Sequence, residues 1–174
     1  MLDLKALYFL ISLLLLIIFS KISFNLGRSI PITLQTYAIG LIILFAPAEI
    51  VLMSIFIYVI LGAIGLPVFS DNSKGMHVLY GPTGGYIIGF LITAILFYFL
   101  KKNFYFLDND ILLIFIWMLL IHFIIITCGF IRLIFLIEFR EAFYNGIVAL
   151  ILPAIIKSLA LTLTFIIVKY LFLS

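Results

Sequence analysis

Apolar residues run together in long, nearly unbroken stretches along this chain, and the polar positions collect in the gaps between them. The runs lack the strict alternation of half-buried or barrel strands, so they predict helices. The first covers about residues 4–22 and gives way to "SKISFNLGRSIP", in which Pro31 suits a turn or a helix N-terminus. A second helix at about 33–45 is short for a full span, so it is expected to tilt or to start below the surface. "APAE" interrupts the pattern, a third helix follows at about 48–62, and "GAIGLP" ends it through glycine and proline chemistry. Then comes "GLPVFSDNSKGMHVLYGPTGGY", residues 65–86, the longest irregular stretch. The fourth helix is expected at about 83–100, closed by "KKNFYFLDND", and the fifth at about 111–137. "EFREAFYNG" reads as the last connection, before a sixth helix at about 147–173 that bends or restarts at Pro153.

Composition places these helices in lipid. Of 174 residues 67% are hydrophobic and 10% charged, and the mean hydropathy is +1.47. Soluble domains carry roughly 25% charged residues. The runs reach or approach the ~20 residues that cross a ~30 Å hydrocarbon layer, where backbone polar groups must be satisfied internally. The expectation is an all-α integral membrane protein, a six-transmembrane-helix bundle in one membrane-embedded domain over residues 1–174, with lipid around it. The first helix is read as retained, since its apolar part is long and lacks a small-x-small cleavage site. A net charge of +3 reflects cations spread along the chain, which fits loop anchoring and not nucleic-acid binding. Six helices put both termini on one side. Lys5, Lys101, Lys102 and Lys169 on that side balance Lys21, Arg28, Lys74 and Arg140 on the other, so charge leaves the orientation undecided.

Little chemistry is available. Gly81, Gly85 and Gly89 recur every fourth residue and are expected to form one face of the fourth helix, for packing inside the bundle or against another subunit. "GPTGGY" lacks the Gly-Lys-Ser/Thr of a phosphate loop, so no nucleotide site is supported. Lys157 lies in "ILPAIIKSLALT", where an ionisable group is costly enough to point to function; a carboxylate ligand would give it a partner. The alternative is an ammonium that snorkels to the interface. Gln35 and Thr36 could turn polar groups into the bundle, for ligand or for helix-to-helix bonding. Arg132 and His122, ten residues apart, share roughly one face but have no mid-span acid for a proton relay. The lone Cys128 reads as a packing residue, and neither a metal cluster nor a Ser-His-Asp set can be assembled. No enzyme, metal or cofactor is called for. A helical bundle with one long Gly/Pro-rich connection and one polar helix end is the pattern expected of a small-molecule pocket near a membrane surface.

Three blocks carry a resemblance. "PITLQT" at residues 31–36, "GLPVF" at 65–69 and "GPTGGYIIGF" at 81–90 occur in the order and near the spacing of the BioY family, and Lys157 follows Gly146 by eleven residues as a family lysine follows a glycine. The chain thus resembles the biotin-binding S components of energy-coupling factor (ECF) transporters over most of its length. That resemblance implies a six-helix S component in the cytoplasmic membrane with cytosolic termini and an outward-opening pocket. Its ligand would be biotin, whose ureido ring has a carbonyl and two N–H groups and whose tail ends in a carboxylate, and its partners a T component and two ABC-type ATPases. It implies ligand contacts at Gly65 and Asp71, with Asn72 adjacent, and at Lys157. Gln35 and Tyr86 complete the expected substrate-binding set, and Tyr37, Phe69 and Tyr80 are further candidate wall residues.

Two departures stand out. Ala154 occupies the position of a family aspartate three residues before the lysine, with Pro153 in place of a glycine. An acceptor is therefore missing, and Asp71 is the expected replacement. The first helix, "ALYFLISLLLLIIFS", has leucine and isoleucine where a small-xxx-small docking face is usual. Docking then uses another face, such as one edged by Ala6 and Ser12, or the protein works alone without the ATPase module. Other readings are a carrier of a related vitamin or biotin precursor and a non-transport membrane scaffold.

Overall fold

The computed structural model describes residues 2–24, 30–103 and 110–172. Arg28, the core of the "KKNFYFLDND" connection and the expected helix end at residue 173 lie outside them. Six long apolar helices dominate the described residues: α1 (Leu2–Ser20), α2 (Gln35–Phe45), α3 (Ala48–Ala63), α5 (Gly84–Asn103), α6 (Ile111–Leu133) and α8 (Ala149–Phe172). The segments Gly84–Asn103, Ile111–Leu133 and Phe139–Leu171 are each long and apolar enough to cross a membrane. The main helix contacts close a ring in the order α1, α2, α8, α6, α5, α3, and α2 also touches α3, α5 and α6. The ring buries Ile39, Ile43, Ile55, Phe97 and Ile121, while Leu152, Phe123 and Leu163 point outward, more than half exposed, as a lipid-facing surface requires.

Local chemistry sets the boundaries. Asp110 accepts from the backbone N–H groups of Leu112 (2.9 Å) and Leu113 (3.4 Å) and starts α6. Gly65, at φ 108°, ends α3. Leu66 N–H donates to Leu61 O (3.0 Å) and Gly65 N–H to Gly62 O (3.2 Å), the paired bonds of a Schellman stop that needs a left-handed residue. Lys101 donates to the carbonyls of Ile43 (2.6 Å) and Ala46 (2.5 Å), meeting the unpaired C-terminal end of α2.

Four features differ from the sequence expectation. The first connection contains an antiparallel pair, β1 (Ser23–Phe24) and β2 (Ile32–Thr33), too short to leave a periodic signal. Residues 65–86 are not a continuous loop, since they hold a tight turn at Ser70–Asn72 and a short helix, α4 (Met76–Tyr80). Gly81 caps α4 and stands outside α5, so only Gly85 and Gly89 belong to the expected helical face. "EFREAFYNG" is helical, as α7 (Phe139–Phe143) running into a wide π-type turn at Tyr144–Val148. The irregularity therefore precedes Pro153, which sits inside α8. A proline ring crowds the carbonyl four residues earlier, here Ala149, where the wide turn ends.

Candidate functional site

The α1–α2 connection, the α3–α4 connection and the start of α8 meet at one end of the ring. Because α2 begins only at Gln35 and has eleven residues, about 16 Å of rise, it leaves space above its first turn. That space is a cavity of about 670 Å³, including its opening to solvent. Ile30, Pro31, Ile32 and Thr33 cover it from the hairpin, and Gln35 and Thr36 form its floor. Phe69, Ser70 and Val78 close one side, with Thr83 just before α5 and Tyr86, Ile87 and Phe90 of α5 beside them. His122, Ile125 and Ile126 of α6 and Leu150, Pro153, Ala154 and Lys157 of α8 complete the wall. Among the described residues the lining contains one lysine and no carboxylate.

Lys157 reaches across to α2. Its Nζ donates to Thr33 O (2.7 Å) and Thr36 Oγ1 (3.1 Å), which leaves one of the three ammonium donors for a ligand. The ammonium is thus held inside, not snorkelled to the interface. Gln35 accepts from Thr33 Oγ1 (3.1 Å) and donates to Tyr58 OH (2.5 Å), and Tyr58 donates to Val68 O (2.9 Å). A buried polar chain therefore ties the cavity floor to the α3–α4 connection. Tyr86 offers the cavity its ring, because its hydroxyl donates to Gly146 O (3.3 Å) and the ring lies against Gly129, where a Cβ would overlap it.

The other expected contacts fall elsewhere. Gly65, Asp71 and Asn72 are not among the lining residues. A Cβ on Gly65 would meet nothing within 4 Å, so its φ, and not a close ligand, calls for glycine. Asp71 and Asn72 are exposed in a turn with left-handed φ of 53° and 58°, conformations that Asp and Asn adopt more readily than most residues. Asp71 accepts from Ser23 Oγ (2.5 Å) on β1, and so links the two connections that cover the cavity. Lys21 adds bonds to Pro67 O and Phe69 O, and Ser20 to Val68 O (2.7 Å). Partial desolvation lowers the Lys21 pKa, with Asp71 pulling the other way. Of the expected aromatics, Phe69 lines the cavity and packs edge-on against Tyr58. Tyr37 instead stacks on Phe19 and bonds Thr164 (2.8 Å), and Tyr80 is 66% exposed. His122 and Arg132 do not form a relay: His122 faces Ser158 on α8, whereas Arg132 donates to Tyr80 O at the end of α4. Among the lining residues that sequence reasoning did not assign to the site are Ile30, Pro31 and Ile32 of the hairpin segment, Thr83 before α5, Ile125 on α6 and His122. The "PITLQT" block was the available signal for the hairpin.

A ring of apolar helices around one covered, largely apolar cavity with a single internal ammonium defines a multi-pass membrane protein with a small-molecule site. The BioY family model matches residues 3–173, and the chain belongs to the BioY family. It is 43% identical to biotin transporter BioY2 of Lactococcus lactis over 67 residues, 38% of this chain and 37% of that protein. A probable biotin transporter BioY of Pyrococcus horikoshii is 33% identical over 139 residues, 80% of each chain. The crystal structure of the S-component for biotin from an ECF-type ABC transporter superposes with a TM-score of 0.82 at 24% identity, covering 92% of this chain and 88% of that one. The fold is therefore the six-transmembrane-helix bundle of an ECF S component.

Proposed function

We propose that this chain takes up biotin across the cytoplasmic membrane as the substrate-binding S component of an ECF-type transporter. The observation that carries this reading is the cavity: in a BioY-family chain, apolar and aromatic walls surround one ammonium and no carboxylate. Such a pocket favours a ligand with an apolar body and an oxygen acceptor or carboxylate, and biotin has both. The function is transport, and no chemistry on the ligand is involved. Gln35, Tyr86 and Lys157 act from the wall, while Gly65, Asp71 and Asn72 act through the cover. The cavity opens to the outside and the termini lie in the cytosol, where a T component and two ABC-type ATPases would supply the energy.

Calorimetry of the purified protein in detergent with biotin, desthiobiotin and thiamine tests the reading. Saturable one-site binding with biotin preferred is expected. Preference for another of these ligands would make the protein a carrier of that compound. No binding of any would favour the scaffold.

One observation favours a second reading, transport without the ATPase module. Leu7, Leu10, Ile11, Leu14 and Ile18 form a bulky exposed face on α1, and Ser12, considered as the edge of an alternative docking face, is buried at 3% exposure. The bulky face lacks the small residues that close backbone docking uses, and of the alternative pair only Ala6 is exposed.

A further inference from the structure

The imidazole of His122 is part of the cavity wall where α6 meets α8, and the residue is 3% exposed. Its Nδ1 lies 2.9 Å from Met118 O, one turn earlier on α6, and 3.1 Å from Ser158 Oγ on α8. A carbonyl oxygen can only accept. In the neutral ring the single N–H is therefore on Nδ1, and Nε2 carries an unshared lone pair. That Nε2 is buried and has no hydrogen-bond partner among the described residues. Buried polar atoms without partners are rare, and one in a binding cavity calls for a ligand or water to complete it.

The neighbouring wall does not supply the missing donor. Ala154, one turn before Ser158, ends in a methyl group, and Pro153 has no N–H. The Lys157 ammonium places two of its donors on Thr33 and Thr36, and none reaches Nε2. The Nδ1 contacts fix the ring plane from two helices, so Nε2 is a pre-positioned acceptor in a wall otherwise equipped with a donor.

We propose that His122 is a ligand-binding residue whose Nε2 accepts a hydrogen bond from a ureido N–H of biotin. This deepens the biotin reading and rests on it. Lys157 meets a ligand oxygen, His122 meets a ligand N–H, and the pair fixes the orientation of the bound molecule. Asp71, turned away toward Ser23, is not needed as the acceptor that Ala154 lacks.

The test combines calorimetry with nitrogen NMR on the full chain. His122→Leu should weaken biotin binding about tenfold to a hundredfold, as expected when one partner of a buried hydrogen bond is removed. His122→Gln, which keeps an acceptor oxygen, should recover much of that loss. A signature free of any change at His122 comes from 15N-labelled imidazole in His77→Asn, which removes the other histidine of the chain. Adding biotin should shift the unprotonated Nε2 resonance while Nδ1 stays protonated. Biotin binding with an unmoved Nε2 resonance, or with undiminished affinity in His122→Leu, would overturn the assignment and leave the biotin reading standing. Failure of the unaltered protein to bind biotin would instead overturn that reading, and this inference with it.

Discussion

At the scale of single residues, the cavity contrasts a cation that is inside with an anion that is not. Lys157 has two acceptors, Thr33 O on β2 and Thr36 Oγ1 on α2, and a third donor available for an oxygen of the ligand. Hydrogen bonds to charged groups contribute about 1.5–3 kcal/mol, so Lys157→Met should lower biotin affinity about 10- to 100-fold in calorimetry. Asp71 is exposed and bonded to Ser23, so its effect should pass through the cover. Asp71→Ala and Ser23→Ala are each expected to weaken biotin binding by about fivefold or less, with no further loss in the double variant, because both remove one bond. A much larger loss in Asp71→Ala alone would mean that the carboxylate touches biotin directly. The lysine was legible in the sequence because charge in an apolar run is conspicuous. Asp71 was misleading because proximity to a motif says nothing about which way a turn points.

At the scale of elements, the contact of α5 with α6 decides where the wall stands. A Cβ on Gly85 would come 2.5 Å from the Cys128 carbonyl oxygen and 3.0 Å from Gly129 Cα, and one on Gly89 would come 2.8 Å from Ile125 Cα. The two backbones approach closely because these positions have no side chain. Gly85→Leu must push the helices apart, which for an overpacked core costs about 1–3 kcal/mol or more. The expected result is a clearly lower thermal midpoint in detergent and loss of biotin binding, checked by fluorescence-detected unfolding and calorimetry. Gly85 and Gly89 were readable from four-residue spacing. The hairpin was not, since two residues per strand cannot express a period of two, and its pairing of Ser23 with Thr33 depends on contacts across the connection.

At the scale of the whole molecule, the closed ring leaves no unpaired side among its six long helices, so further assembly must use an outer face. On α1, Ser12, Leu16 and Ser20 turn inward and large aliphatic side chains turn out. If the ATPase module is the partner, co-expression with a T component and its ATPases should yield a detergent-stable complex and ATP-dependent biotin uptake in vesicles. Uptake by the chain alone, with no complex recovered, would establish the solitary mode. Small substitutions on the outer α1 face, such as Leu10→Ala with Leu14→Ala, should strengthen docking in the first case and change nothing in the second.

The sequence by itself determined the solvent and the class of structure. Uninterrupted apolar runs of near-spanning length can satisfy their backbones in lipid only as helices, and glycine and proline chemistry limits where those helices end. It also exposed Lys157 and the glycine spacing, which depend on local pattern. Only the tertiary structure decided which polar groups share the cavity. That choice depends on the turn of each helix about its axis and on the fold of two connections, neither of which leaves a periodic trace. It turned Asp71 toward Ser23 and Tyr80 toward the surface, and it brought His122 into the wall beside Ala154, thirty-two positions away in the chain, because α6 and α8 are neighbours only in the folded ring.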